Sequence, residues 1–109
     1  MENNKKLITT AIAYSNGEPH IGNAFEFIIT DVYNRYLLSL QEKDTFFTTG
    51  MDEHGSKIFK AAQDNNISPQ VFTDRISEIF MDLDKRLNIN YNQFTRTTNS
   101  KHITLAKNI

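Results

Sequence analysis

The chain has 109 residues, a length typical of one small domain, and ordinary hydrophobic (39%) and charged (23%) fractions. Its formal net charge of −1 excludes a strong general attraction to nucleic acid or to an anionic membrane surface. The sequence contains no cysteine, which excludes disulfides and thiolate zinc sites, and it has no apolar run long enough to span a membrane.

The first predicted element is a buried strand at Leu7–Ala13, a short apolar and β-branched run. The polar stretch Met1–Lys6 before it lacks the apolar core of a secretory signal, so we expect a cytoplasmic protein. A turn at Ser15–Pro19 follows, and apolar residues at helical spacing then predict a helix from about Ile21 to Leu40. The predicted apolar stripe of this helix is Phe25, Ile28, Ile29, Val32, Tyr36 and Leu40.

The middle of the chain predicts a second strand at Thr45–Thr49, closed by Gly50, and a short helix at Ser56–Asn65. Ser68 and Pro69 then form a helix start, because serine caps free N–H groups and proline suits the first helical position. The apolar stripe of that helix is Phe72, Ile76, Ile79, Phe80, Leu83 and Leu87.

The last part of the chain predicts a third strand at Gln93–Thr97 and the beginning of another helix within Thr98–Ile109. The resulting order, β-α-β-α-α-β-α, is typical of an α/β fold with parallel strands and crossover helices. Ligands of such sheets bind beyond the carboxyl ends of the strands, so we expect His20 and Asp52 to border one crevice.

The turn at His20–Asn23 combines features that suit a phosphate group. A helix begins there, and its free N–H groups and dipole favour an anion. His20 and Asn23 can donate hydrogen bonds, and Gly22 allows a base or ribose to approach the backbone. A helix start at which the asparagine merely caps explains the same residues equally well.

Three segments resemble the methionyl-tRNA synthetase family of class I aminoacyl-tRNA synthetases. Thr9–Asn23 resembles the first signature, Thr48–Gly55 is similar to the second block, and Phe94–Thr98 matches a later family segment. The resemblance covers the chain from about Leu7 to Ile109. It implies the first half of a Rossmann-like, class I synthetase nucleotide-binding fold.

The resemblance also implies an activity: ATP-dependent activation of methionine to methionyl-adenylate, then transfer of the methionyl group to tRNA. The implied substrates are methionine, ATP with Mg²⁺, and tRNA. The implied catalytic residues are His20 and Asn23, and the implied ATP contacts are His20, Ile21, Gly22 and Asn23. The implied methionine contacts are Ala11, Ile12 (through its backbone), Tyr14 and Asp52. No residue is predicted to bind a metal.

Other interpretations of these residues stay open. Asp52 before a helix can be a capping carboxylate, and Tyr14 can be a core residue. His54 is expected to support the loop rather than to touch substrate, and His102 is expected at the surface. Phe25, Phe72 and Phe80 are predicted to lie in the core.

The chain departs from the family pattern at three positions. Asn23 stands where the family usually has a second histidine, and it cannot carry a positive charge, so we expect weaker catalysis rather than a lost ATP pocket. Ala13 stands where an aromatic residue or proline is frequent, and Met51 replaces the usual threonine. Both can alter the shape of the pocket.

The 109 residues contain no connective domain, no zinc ligands, no Lys-Met-Ser-Lys-Ser sequence and no anticodon-reading region. We therefore expect residues 1–109 to form one partial catalytic domain, a truncated product or a fragment, that is inactive or severely impaired when isolated. The alternative is a non-catalytic module that binds a nucleotide, an amino acid or a partner. Since Leu7–Ala13 is left as an apolar edge, self-association or pairing with a complementary fragment is also expected.

Overall fold

The computed structural model describes residues 5–40 and 44–109, so the first four residues of the polar N-terminal stretch lie outside the described part. The elements are β1 (Lys6–Thr9), β2 (Ala13–Tyr14), α1 (Ile21–Ser39), β3 (Thr45–Asp52), α2 (Ser56–Asp64), α3 (Pro69–Arg86), β4 (Gln93–Arg96) and α4 (Ser100–Lys107). Within the described residues, no helix combines the length and the apolar character needed to cross a membrane.

The sheet is parallel throughout, with β3 in its centre. Thr48 pairs with Thr9 on one side and with Gln93 on the other, and β2 continues the edge that β1 begins. Helix α1 connects β2 to β3, and helices α2 and α3 connect β3 to β4, so the predicted α/β fold with crossover helices is confirmed.

The predicted continuous strand Leu7–Ala13 is interrupted in its middle. Thr9 pairs with Thr48 and Ala13 pairs with Met51, so residues 10–12 stand opposite only residues 49–50. The extra residue forms a bulge, which reorients side chains and is frequent beside functional sites. At the bulge, Thr10 is buried, whereas the next two residues are exposed.

Strand β3 is longer than predicted, because it passes through Gly50 and ends at Asp52. A Cβ atom at Gly50 would collide with the backbone carbonyl of Thr95 on β4. The glycine therefore serves the close approach of two strands and does not end one.

The main core lies between the sheet and helices α1–α3. Its buried members are Ala13, Phe27, Met51, Ile58, Ala62, Phe72, Ile76 and Phe80. Phe27 of α1 and Phe80 of α3 meet edge to face with ring centroids 6.2 Å apart. A second cluster joins Ile8, Leu37 and Phe47. The core positions predicted for Phe72 and Phe80 are confirmed.

The stripe predicted for the first helix is wrong. Phe25 is 64% exposed, and the other members of the predicted stripe are exposed as well. The buried residues of α1 are instead Phe27, Asp31, Asn34 and Leu37. The two polar residues are buried because they bind the turn after α3: Asp31 accepts a hydrogen bond from the amide of Asn90 at 2.8 Å.

The start of α3 follows the prediction, with Pro69 as its first residue and Ser68 accepting a hydrogen bond from the amide of Val71 at 3.2 Å. Of the apolar stripe predicted there, Ile79 is 37% exposed and lies at the margin of the core. The face of the sheet opposite these helices exposes Leu7 and Phe46.

Candidate functional site

His20 caps the first helix with its side chain. Its Nδ1 atom accepts a hydrogen bond from the amide of Gly22 at 3.0 Å. In the neutral ring, an accepting Nδ1 leaves the proton on Nε2, so the opposite edge of the imidazole is a donor. The ring is exposed at the N-terminus of a 19-residue helix, where an anion is favoured.

Asn23 completes a capping box with His20. Its Oδ1 atom accepts a hydrogen bond from the backbone amide of His20 at 3.0 Å. The capping interpretation of these residues is thus correct as a description of local structure. Since Oδ1 accepts, the amide NH₂ group of Asn23 is available as a neutral donor.

Gly22 has a steric role that the sequence alone did not reveal. A Cβ atom at this position would lie 2.7 Å from Cε1 and 2.9 Å from Nδ1 of His20. The glycine therefore makes room for the capping imidazole. Gly22 and Ile21 are both exposed, so the backbone here is also open to a ligand.

Asp52 is the last residue of β3, so the interpretation of this residue as a helix cap is wrong. Helix α2 begins after Gly55, which provides no side-chain cap. Ser15 fixes the backbone of Asp52 by donating hydrogen bonds to its carbonyl from N at 2.9 Å and from Oγ at 2.7 Å. Within the described ranges, the half-buried carboxylate of Asp52 makes no hydrogen bond or ion pair.

Tyr14 lies beside Asp52, because the two residues are direct partners in the β2–β3 register. The half-buried ring of Tyr14 packs against the main core. Its hydroxyl occupies the space that a Cβ atom of Gly55 would need, and Gly55 has a φ of 131°. Tyr14 thus combines the predicted core packing with a place next to the free carboxylate.

Ala11 and Ile12 occupy the bulge between β1 and β2, and both are exposed. The amide of Ala11 donates a hydrogen bond to Oε1 of Glu26 on α1 at 2.8 Å. The helix therefore stabilises the irregular backbone of the bulge.

The structure thus brings Tyr14 and Asp52 together at one edge of the sheet. Tyr14 and Asp52 end neighbouring parallel strands, Ser15 links those ends, and His20 begins the helix that follows. A carboxylate at such a place can bind an ammonium group, while a helix N-terminus with a ring N–H donor can bind phosphate oxygens.

Ala13 and Met51, two of the departures from the family pattern, face the core. Met51 is fully buried and Ala13 is 9% exposed. Their effect is therefore on packing beneath the site. His54 is exposed, and its Nε2 atom lies 3.3 Å from the carbonyl oxygen of Thr97, in agreement with a supporting role in the loop. His102 is exposed on α4, as predicted.

Sequence reasoning assigned no role to Glu53, the residue after Asp52, or to Arg96 at the end of β4, and these two form an ion pair. Glu53 has a fully buried side chain, and its Oε1 atom accepts a hydrogen bond from Arg96 Nε at 2.8 Å. The arginine lies in the Phe94–Thr98 segment, whose resemblance to the family gives Arg96 no role of its own. The sequence does contain one signal for the pair: an acidic residue follows one predicted strand and a basic residue lies in the next.

Comparison with known proteins agrees with this architecture. The sequence profile of the family described as tRNA synthetases class I (M) matches residues 6–109. The methionine–tRNA ligase of Ureaplasma parvum is 51% identical over 102 residues, which are 94% of this chain and 19% of the relative. The methionine–tRNA ligase of Helicobacter pylori strain 26695 is 45% identical over 104 residues, which are 95% of this chain and 16% of the relative.

Solved structures give the same relationship. The methionyl-tRNA synthetase of Mycobacterium tuberculosis in complex with methionyl-adenylate superposes with a TM-score of 0.89 at 39% sequence identity. The match covers 94% of this chain and 20% of that protein. The chain thus spans about a fifth of the length of the relatives it matches.

Proposed function

The chain belongs to the class I (M) family of tRNA synthetases, and on that premise we propose that it binds methionine and the Mg²⁺ complex of ATP for a methionine–tRNA ligase. In the proposed reaction, the methionine carboxylate attacks the α-phosphorus of ATP and pyrophosphate leaves. The methionyl group of the resulting methionyl-adenylate then passes to tRNA. The protein contributes positioning and charge stabilisation rather than a nucleophile.

The observation that carries the proposal is the free carboxylate of Asp52 on a fixed backbone. A half-buried carboxylate without a protein partner is suited to the α-ammonium group of methionine. Ile12 offers backbone groups at the bulge to the same ammonium. Ala11 and Tyr14 are proposed to surround the methionine side chain, since Tyr14 is the register partner of Asp52 and Ala11 lies in the bulge just before that strand.

The ATP end of the proposed site is the start of α1. His20 donates from Nε2 to phosphate oxygens, because its Nδ1 atom is engaged by Gly22. Asn23 donates from its side-chain amide without adding positive charge. The exposed backbone at Ile21 and Gly22 faces the nucleotide. His20 and Asn23 are the proposed catalytic residues, since they touch the reacting phosphates.

We propose that residues 1–109 act as one partial catalytic domain, and that a polypeptide of these residues alone turns over slowly. A role in charging tRNA also implies a cytoplasmic location. The tRNA is a partner of the second step, and no tRNA-reading surface is assigned to these residues.

A second candidate is a binding module without catalysis. It is favoured by Asn23, which lacks the positive charge of a histidinium at the phosphate corner. Both candidates predict binding of methionine and ATP, and they differ in turnover. Methionine-dependent exchange of pyrophosphate into ATP separates them: slow but measurable exchange by the 109-residue polypeptide supports the catalytic role, and no exchange above background supports the module. Robust exchange contradicts both the module and the expected slow turnover.

Calorimetric titration with a non-hydrolysable methionyl-adenylate analogue tests the binding proposal. The wild-type polypeptide should bind, and Asp52→Asn should weaken binding roughly 10- to 100-fold, as expected for losing about 1.5–3 kcal/mol of a hydrogen bond to a charged group. Asp64→Asn, at the exposed end of α2, is the matched control and should bind like the wild type. An Asp52→Asn variant with unchanged affinity contradicts the proposed role.

A further proposed partner is a second copy of the chain. The outer face of α1 and the open face of the sheet both expose apolar side chains, among them Phe25, Val32 and Phe46. Large exposed apolar surfaces of this kind favour association.

A further inference from the structure

Two adjacent carboxylates at the end of β3 have opposite environments. Asp52 is half-buried and has no partner within the described residues, whereas the side chain of Glu53 is fully buried. Glu53 accepts hydrogen bonds from Arg96 Nε at 2.8 Å, from Thr98 Oγ1 at 2.5 Å and from Thr98 N at 3.3 Å. The carboxylate of Asp52 is thus available to a ligand, whereas the carboxylate of Glu53 is engaged in hydrogen bonds within the protein.

Arg96 extends the network to a third element. Its Nη2 atom donates to Oδ1 of Asp74 on α3 at 2.6 Å, and Gln70 donates to the same carboxylate at 2.9 Å. Burial alone would lower the pKa of Arg96, but the hydrogen bonds that it donates to Asp74 and Glu53 raise it. The pKa of Asp74 is lowered, first by its hydrogen bond with Arg96. The guanidinium therefore joins the ends of β3 and β4 to α3 as a charged unit.

The backbone around Asp52 is held by the same segment. Thr97 Oγ1 accepts a hydrogen bond from the amide of Glu53 at 2.9 Å, and the amide of Thr97 donates to the carbonyl of Met51 at 3.3 Å. On the other side, Ser15 holds the carbonyl of Asp52. The direction of the Asp52 side chain is thus set by bonds to both neighbouring strands.

We propose that Arg96, Glu53 and Asp74 are positioning residues for methionine, because they hold the strand end that aims Asp52 at the α-ammonium group. The proposal rests on the proposed function. None of the three residues needs to touch substrate. Only the Glu53 side chain of this cluster is fully buried. Ion pairs are a weak source of stability compared with apolar packing, which favours a role in fixing geometry at this site.

Substitution of Arg96 by methionine tests the proposal, since methionine keeps most of the volume and removes the charge and the donors. In the 109-residue polypeptide, Arg96→Met should weaken methionine binding about tenfold and leave ATP binding within about twofold. Arg96→Lys should recover part of the loss. The matched control is Arg86→Met, which removes an exposed arginine paired with Asp82 on the same helix and should change neither affinity.

A double-mutant cycle identifies the route of the effect. If Arg96 acts through Asp52, Arg96→Met should add nothing to the loss already caused by Asp52→Asn. Additive losses overturn the proposal, and so does a folded Arg96→Met variant that binds methionine as the wild type does. Equal losses for methionine and ATP indicate a general structural defect and also overturn it. If Arg96→Met fails to fold, Asp74→Asn replaces it, with a smaller loss expected for methionine alone.

Amide hydrogen exchange separates failure of this inference from failure of the proposed function. A wild-type polypeptide that binds neither methionine nor ATP contradicts the proposed function. The network is then tested without ligand: Arg96→Met should accelerate exchange at the amides of Glu53 and Thr98 about tenfold and leave Phe47 unchanged. Unchanged exchange at Glu53 and Thr98 overturns the inference.

Discussion

The backbone amide of Ala11 lies 2.8 Å from Oε1 of Glu26, so a helix side chain stabilises the bulge that interrupts the first strand. This bond crosses from α1 to the irregular residues between β1 and β2. It connects the proposed methionine contacts at the bulge to the helix whose start is the proposed ATP corner.

Substitution of Glu26 by alanine should therefore lower the free energy of unfolding by about 1 kcal/mol and weaken methionine binding, because the bulge amide loses its acceptor. Glu26→Gln keeps an oxygen acceptor and should retain most of both properties. Glu78→Ala, at an exposed position of α3, is the control. Urea unfolding and methionine titration measure the two effects; equal results for Glu26→Ala and Glu78→Ala contradict the assigned role.

Substitution of Gly50 by alanine should destabilise the fold by about 1–3 kcal/mol, the range for overpacking. The added Cβ atom would meet the backbone carbonyl of Thr95, which can yield only if β3 and β4 separate. Gly17→Ala is the matched control, since its Cβ atom meets nothing within 4 Å. Thermal unfolding followed by circular dichroism compares the two variants. A Gly50→Ala variant as stable as Gly17→Ala would show that the strands tolerate the extra atom.

The sequence was sufficient for the alternation of strands and helices, for His20 at the start of a helix and for Asp52 near the end of a strand. Strong signals explain this success: Ser68 and Pro69 start α3, and the alternation of strands and helices requires parallel pairing. The bulge was not predictable, because its extra residue is defined only by the register against β3.

The face of α1 was predicted wrongly for a different reason. Its apolar stripe is exposed, while Asp31 and Asn34 are buried because they bind the backbone at Asn90. Hydrophobic periodicity assigns the apolar side of a helix to the core, and it contains no information about hydrogen bonds to residues far away in the sequence. The Glu53–Arg96 pair was missed on similar grounds, since it depends on the pairing of β3 with β4.

Asp84 should make the stability of the chain depend on pH near neutrality. Burial raises the pKa of Asp84 to about 7, and neither of its carboxylate oxygens has a hydrogen-bond partner among the described residues. The pKa of nearby Tyr91 is raised, mainly by burial and also by the charge of Asp84. Because the folded state holds the proton more tightly than the unfolded chain, stability should fall as pH rises from about 4 to about 7 and then level off.

Substitution of Asp84 by asparagine should remove this dependence. At pH 8 it should raise the free energy of unfolding by about 1–3 kcal/mol, because no buried charge remains, and at pH 5 it should change little. Asp82→Asn, with its exposed carboxylate, should leave the pH profile of stability intact. Urea unfolding at a series of pH values measures both. A wild-type protein with equal stability at pH 5 and pH 8 would refute the assignment.

The exposed apolar face of α1 should cause the 109-residue polypeptide to self-associate. Ile29 and Tyr33 of this face line a shallow groove with Leu7 and Thr9 of β1, so exposed apolar residues of the helix lie beside the first strand at the edge of the sheet. Exposed apolar surface and an open strand edge both favour contact with a second copy.

Ile29→Lys should weaken association at least about tenfold, because a buried lysine at the contact would lack a partner. Leu105→Lys, at an exposed apolar position of α4, should have no such effect. Sedimentation velocity over a range of concentrations measures the association. A wild-type chain that stays monomeric throughout would contradict self-association. A Leu105→Lys variant that loses as much association as Ile29→Lys would contradict the placement of the contact on α1.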